Sequence, residues 1–164
     1  MSDLLPERVE VVGLDHLYLT VTDVAASEPW YDAVFGLLDF RKTDTAIAGA
    51  PHRHYFNSIM QVSIRQSKSA AKHDPYAPGL HHVCLQVADN AAVDTFHRLV
   101  TARGFAATAP AVYSQYADDY YATFLEDPDG LRFEVVARRA RRKLYAERWS
   151  ELTSWLNPIQ KIRV

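Results

Sequence analysis

The nine residues GLDHLYLTV at positions 13–21 return in similar form as GLHHVCLQV at positions 79–87. Each copy carries a histidine, His16 or His82, at the same point of a segment in which apolar side chains alternate with polar ones. Such alternation is typical of a β-strand with one face in the core. An aspartate and a helical pattern follow each copy, so the repeat covers a strand and its helix. We therefore predict two equivalent modules with a ligand-binding cleft at their seam.

The turn and strand patterns extend each copy into a βαβββ module. The first module covers residues 9–66, the second covers residues 79–137, and the polar, proline-containing segment 67–78 is predicted to link them. Asp127-Pro128-Asp129-Gly130 predicts a tight turn before the last strand. The predicted fold class is α+β: two tandem modules with a metal-binding cleft in a domain of residues 1–137, and a helical extension at 138–164.

Element boundaries follow from the caps and turn residues. Asp23 is predicted to cap a helix over residues 24–35 that Gly36 ends, and a second helix is expected from residue 90 to about 103. The remaining strands are expected at 38–42, 54–57, 60–65, 105–112, 120–125 and 132–136.

Composition excludes several classes of protein. A hydrophobic share of 48% and a charged share of 23% in 164 residues are typical of a soluble globular protein. The net charge of −2 argues against general nucleic-acid binding, and no stretch is apolar enough to span a bilayer. We expect no signal peptide, and the single cysteine, Cys84, fits a reducing cytoplasm. The expected partner is a small-molecule substrate.

Four side chains on the polar strand faces have metal-ligand chemistry: His16, Gln61, His82 and Glu134. Two imidazoles and one carboxylate form a facial triad that binds a divalent metal and leaves positions open for substrate. Gln61 would add a fourth ligand. A lone histidine is more often a hydrogen-bonded side chain, but equivalent placement of His16 and His82 in the two repeats favours the metal.

Further polar residues are candidate cavity contacts: Tyr18, Arg65, Cys84 and Tyr121. Cys84 alone is more simply interpreted as a small buried filler. His52 and His54 flank Arg53 beside the predicted cleft; their simpler interpretation is a surface loop, and the alternative is a contact with an anionic substrate.

These residues resemble the vicinal oxygen chelate superfamily, which includes glyoxalase I, methylmalonyl-CoA epimerase, fosfomycin-resistance enzymes, extradiol dioxygenases and bleomycin-resistance proteins. The resemblance covers about residues 12–137, including the two histidine repeats and the closing segment YYATFLEDPDGLRFE at 120–134. It implies a U-shaped sheet per module and one divalent ion (Ni, Zn, Co, Mn or Fe(II)) held by His16, His82 and Glu134. The ion would chelate vicinal oxygens of a small substrate and stabilise an enolate or oxyanion.

Differences between this sequence and individual members of the superfamily narrow the set of expected reactions. This chain has Gln61 where glyoxalase I usually supplies a carboxylate, and residues 107–119 lack the catalytic histidine of the extradiol dioxygenases. We expect a metal-dependent lyase or isomerase of the glyoxalase type, with Glu134, Tyr18 and Tyr121 as catalytic residues. The alternatives are an Fe(II)-dependent dioxygenase with a two-histidine, one-carboxylate triad and a metal-free drug-binding protein like the bleomycin-resistance proteins.

A helix is predicted from about residue 138 to 156. Its basic run at 138–143 is typical of a solvated helix face, and the alternative is that it binds phosphate or carboxylate. Its apolar stripe is too large to leave in water and predicts a homodimer seam; the stripe residues are Tyr145, Trp149, Leu152 and Leu156.

Overall fold

A computed structural model of the chain describes residues 11–149, which form two units that divide between Lys72 and His73. Each unit has the order strand, helix, strand, strand, strand and contains one four-stranded sheet. The predicted α+β class with two βαβββ modules is therefore confirmed. No helix within the described residues is both long and apolar enough to cross a membrane.

The first unit consists of β1 (His16–Val21), α1 (Val24–Leu37), β2 (Arg41–Ile47), β3 (Ala50–Phe56) and β4 (Gln61–Gln66). Its strands lie in the order β1-β4-β3-β2, with β1 and β4 parallel and the other pairs antiparallel. On one face, the Tyr55 ring packs against Tyr31 and Phe35 of α1, and all three are buried. The opposite face carries polar side chains.

Helix α1 begins as the sequence predicts and ends later. The Asp23 carboxylate accepts the backbone N–H groups of Ala25 and Ala26 at 2.8 and 3.1 Å, which caps the helix. The chain leaves the helix at Asp39, whose φ is 62°, and not at Gly36. An aspartate tolerates this left-handed conformation better than most residues. Strand β2 consequently starts three residues after the expected position 38.

A tight hairpin joins β2 and β3 where no turn was expected. Ala48 and Gly49 both have positive φ, 50° and 78°, as the two-residue hairpin turn requires. The hairpin moves the start of β3 from the expected residue 54 to Ala50. His52 and His54 therefore lie inside a strand, and their interpretation as a surface loop is wrong.

The second unit consists of β5 (His82–Val87), α2 (Asn90–Ala102), β6 (Ala111–Val112), β7 (Tyr121–Glu126) and β8 (Arg132–Ala137). The strand order is β5-β8-β7-β6, and β5 and β8 are parallel. Of the strand expected at residues 105–112, only the two residues of β6 form a strand in the structure. The Phe124 backbone N–H donates to the Thr108 hydroxyl at 2.9 Å and not to a backbone carbonyl. Pro110 has no N–H to donate to a neighbouring strand.

The predicted turn before β8 is confirmed. Asp127 is buried, and its Oδ1 accepts the backbone N–H groups of Asp129 and Leu131 at 2.9 and 2.8 Å. Gly130 has a φ of 86°, which only glycine adopts at little cost. This turn fixes the start of β8 and hence the position of Glu134.

Helix α3 (Arg139–Glu147) follows β8 within the predicted span 138–156. Of the predicted apolar stripe, Tyr145 is half-buried and Trp149 is 68% exposed. Leu152 and Leu156 lie outside the described residues.

Candidate functional site

The polar face of the second sheet carries His82, Cys84 and Glu134. Cys84 on β5 lies directly opposite Glu134 on β8, and Phe124 on β7 lies opposite Glu134 on its other side. Side chains opposite one another in a sheet share a face. The strand alternation in the sequence therefore correctly placed His82 and Glu134 together.

Glu134 and His82 form a close pair of unequal exposure. Glu134 Oε2 lies 3.7 Å from His82 Nε2; the glutamate side chain is 3% exposed and the histidine side chain 37%. Glu134 Oε1 is buried and has no hydrogen-bond partner among the described residues. Burying a carboxylate oxygen without a partner is costly. A cation bound between a buried carboxylate and an accessible imidazole would offset that cost, so these two residues fit a divalent metal.

Two protonated groups adjoin Glu134. Cys84 is an exposed free cysteine, so its interpretation as a small buried filler is wrong. Desolvation by the surrounding protein, followed by the negative charge of Glu134, raises the pKa of its thiol to about 12. Burial, followed by the neighbouring Glu134 carboxylate, raises the pKa of the Tyr120 phenol above its usual range. Both groups are therefore neutral near pH 7 and able to donate hydrogen bonds.

The structure brings Tyr120, and not Tyr121, to this face. The Tyr121 hydroxyl donates to Asp94 of α2 at 2.6 Å, on the helix side of the sheet. Tyr120 is 8% exposed, and the guanidinium of Arg138 lies 4.9 Å from its ring centre. The period of two that continues from Tyr120 into β7 could have identified Tyr120, since it places Tyr120 on the same face as Ala122 and Phe124.

His16 and Gln61 are adjacent in the first unit, at directly opposite positions of β1 and β4. The Asp15 carboxylate lies 2.7 Å from His16 Nδ1. If Nδ1 carries the proton of this hydrogen bond, Nε2 has the free lone pair that a metal needs. The Gln61 amide nitrogen donates to the Ser63 hydroxyl at 2.8 Å, which leaves its oxygen as the atom with ligand chemistry.

The strand register separates Gln61 from the position equivalent to Glu134. Glu134 lies opposite Cys84, two residues after His82. In the first unit, the residue opposite Tyr18, two residues after His16, is Ser63. Ser63, and not Gln61, is therefore the counterpart of Glu134 in the first unit.

Tyr18 is bonded to a buried histidine. Its hydroxyl lies 2.5 Å from His52 Nδ1, and His52 is only 3% exposed. Burial, followed by the positive charges of Arg65 and His54, lowers the pKa of His52 below its ordinary value. Sequence reasoning did not find this bond because it depends on how β1 and β3 each pair with β4.

Within residues 11–149, no group of three or more His, Cys, Asp and Glu side chains is arranged to hold a metal ion. The candidate ligands occur as two pairs, His82 with Glu134 and His16 with Gln61.

Comparisons with known proteins agree with this architecture. Residues 13–135 match the family model described as the Glyoxalase/Bleomycin resistance protein/Dioxygenase superfamily. The uncharacterized protein YqjT of Bacillus subtilis (strain 168) is 25% identical over 132 residues, covering 76% of this chain and 98% of YqjT.

Two solved structures show the same fold. A glyoxylase/bleomycin resistance protein/dioxygenase domain from Frankia sp. EAN1pec has a TM-score of 0.65 at 19% identity, covering 78% of this chain and 98% of that one. Lactoylglutathione lyase from Agrobacterium tumefaciens has a TM-score of 0.60 at 18% identity, covering 79% of this chain and 96% of the lyase.

Proposed function

The chain belongs to the glyoxalase/bleomycin resistance protein/dioxygenase superfamily, and on that basis we propose that it is a divalent-metal-dependent enzyme acting on a small oxygenated substrate. The proposed ligands are His16, His82 and Glu134, with Gln61 as a fourth. The observation that carries the proposal is that Glu134 Oε1 is buried with no hydrogen-bond partner in the part of the chain that the structure describes, while Oε2 lies 3.7 Å from His82 Nε2.

Glu134 has the chemistry of both a ligand and a proton acceptor. A bound divalent ion supplies Lewis acidity to substrate oxygens. Next to such an ion, Glu134 Oε1, which has no hydrogen-bond partner among the described residues, has free lone pairs that can accept a proton from a substrate carbon or oxygen. The neutral Tyr120 phenol and Cys84 thiol are donors that can orient a substrate oxygen against Glu134.

Tyr18 is proposed as a second proton-transfer group. Its hydroxyl shares a 2.5 Å hydrogen bond with His52 Nδ1, so a proton can pass between phenol and imidazole without solvent. Two proton-transfer groups of this kind, Glu134 and Tyr18, suit a lyase or isomerase, which moves protons without net oxidation. Tyr121 is left out of the proposed machinery because its hydroxyl bonds Asp94 on the helix side.

The experiment is a titration of the chelator-treated full chain with Co(II), followed by visible absorption. Wild type is expected to develop ligand-field bands that saturate, whereas His82→Ala and Glu134→Gln should not reach saturation at the same concentrations. His97→Ala removes an imidazole from α2 in the same unit and should behave as wild type. Equal titrations for wild type and both ligand variants would reject the proposed ligands. Oxygen consumption by the Fe(II)-loaded protein would indicate a dioxygenase instead.

We also propose that the chain acts as a homodimer. The exposure of Trp149, next to a half-buried Tyr145, supports an apolar seam at α3, because large apolar side chains are commonly covered in a two-fold dimer.

A further inference from the structure

Side chains from three neighbouring strands lie side by side at one end of the polar face of the first sheet. Arg65 on β4 lies directly opposite Thr20 on β1 and directly opposite His52 on β3. These three side chains therefore share one face. Beside them is a cavity of about 310 Å³ lined by Thr20, Arg65, Gln66 and Lys68.

The positive charge at this cavity is not neutralised within the described chain. Neither Arg65 nor Lys68 forms an ion pair with a residue in 11–149, and strands β1, β3 and β4 contain no Asp or Glu. The basic residues on the helix side of the same sheet differ: Lys42 and Arg53 pair with Glu28 at 2.7 and 2.9 Å. Arg65 and Lys68 are therefore available for an external anion.

His52 adds a buried hydrogen-bonding atom without a partner. Its Nδ1 is occupied by the Tyr18 hydroxyl, and its Nε2 is buried with no hydrogen-bond partner in the described residues. When the phenol donates to Nδ1, the neutral imidazole carries its proton at Nε2. A buried N–H of this kind requires an acceptor, and residues 11–149 offer none.

Gln66, the fourth side chain that lines the cavity, already forms hydrogen bonds with the backbone. Gln66 accepts the Val24 backbone N–H at 3.2 Å and donates to the Thr22 carbonyl, which ties β4 to the start of α1. Besides Gln66, the groups that line the cavity are the Arg65 guanidinium, the Lys68 ammonium and the Thr20 hydroxyl, and the buried His52 N–H lies next to Arg65 in the sheet without lining the cavity. Two are cationic and all can donate hydrogen bonds, so the complementary ligand is an oxyanion.

We infer that Arg65, together with its neighbours His52 and Thr20, forms a binding site for the carboxylate or phosphate group of a small acidic ligand. A guanidinium binds either oxyanion through two parallel hydrogen bonds, and Lys68 adds a point charge at the rim. The site goes beyond the proposed metal-dependent function, because none of its groups is a proposed metal ligand. It therefore binds an oxyanion whether or not a metal is present.

The test is a titration of the ¹⁵N-labelled full chain, treated with chelator and then dialysed, with inorganic phosphate and separately with acetate. Backbone amides of Thr20 and Arg65 and the Arg65 Nε–H are followed by NMR. Wild type should show saturable shifts with at least one of the two anions. Arg65→Met should weaken binding about tenfold or more, because it removes a charge-assisted pair of hydrogen bonds. The exposed Thr20→Val, which keeps the side-chain shape, should weaken binding by a smaller factor.

Arg98→Met is the matched control, since it removes the same charge from α2 of the second unit, and it should bind as wild type. Saturation by phosphate alone identifies a phosphate ligand, and saturation by acetate alone identifies a carboxylate; either supports the site. No saturable shift with either anion would overturn it. Equal affinity in wild type, Arg65→Met and Thr20→Val would overturn it as well. Because no metal is present, the result is independent of the Co(II) titration.

Discussion

Glu134 and His82 share one sheet face, with Oε2 of the glutamate 3.7 Å from Nε2 of the histidine. The glutamate is buried and the histidine is accessible, so the pair has one end in a low-dielectric environment and one end open to ligands. A carboxylate in such a place is stabilised by a positive partner. This asymmetry distinguishes the Glu134–His82 pair from an exposed ion pair such as Lys143 with Glu147.

Gln61→Glu should tighten divalent-metal binding. A carboxylate is a stronger ligand than an amide oxygen, so we expect the dissociation constant for Zn(II) to fall by about tenfold. Calorimetric titration measures the change. Gln86→Glu is the control, because it adds the same charge to an exposed position of β5. If both variants tighten binding equally, the effect is general electrostatics and Gln61 is not a ligand.

Tyr55→Phe should destabilise the first unit. The buried Tyr55 hydroxyl donates to Asp32 at 2.8 Å, and its loss leaves a carboxylate oxygen without that donor. We expect a cost of about 1–2 kcal/mol in the free energy of unfolding, measured with urea. Tyr121→Phe removes the same hydroxyl from a more exposed bond to Asp94 and should cost less. A larger loss in Tyr121→Phe would contradict this ranking.

Glu28 should contribute stability that depends on pH. Burial alone would raise its pKa, but hydrogen bonds from Lys42 and Arg53 outweigh burial and lower it. Because the folded pKa is lowered, the contribution is present above the unfolded pKa of about 4.3 and is lost as pH falls through the folded value.

Urea unfolding of wild type and Glu28→Gln tests this dependence. The stability difference should be at most about 1 kcal/mol near pH 7, since the groups are partly solvated, and should shrink toward pH 3. A difference that stays constant from pH 7 to pH 3 would show that the charge of Glu28 contributes nothing.

Light scattering of the full chain should give the mass of a dimer at micromolar concentration. A chain that ends at Arg138 lacks α3 and should become monomeric, because the proposed seam is removed. A monomeric full-length chain would reject the dimer. A truncated chain that stays dimeric would place the seam elsewhere.

The sequence predicted the parts of the site that depend on local pattern. The repeated strand placed His16 and His82, and alternation along β8 placed Glu134 on the face of Cys84. Both signals are local because a strand has a fixed period of two.

The parts that depend on pairing between distant strands were missed. Nothing in the local sequence gives the β3–β4 register that places His52 opposite Arg65, or the β1–β4 register that places Ser63 opposite Tyr18. The turn at Ala48-Gly49, which sets the register of β3, lacks the Asn-Gly or Asp-Gly signature of a two-residue hairpin. Helix α1 likewise continues past Gly36 to Leu37, and the residue with positive φ after it is Asp39.

The metal content of the full chain, purified without chelators and measured by elemental mass spectrometry, tests the central claim most directly. We predict about one divalent ion per chain in wild type and in His97→Ala, and a large loss in His82→Ala and Glu134→Gln, with all four proteins giving the same circular dichroism spectrum. Wild-type protein that holds no divalent ion, even after incubation with Ni(II), Zn(II), Co(II), Mn(II) and Fe(II), would contradict the claim. Full retention of the ion in His82→Ala would contradict it equally.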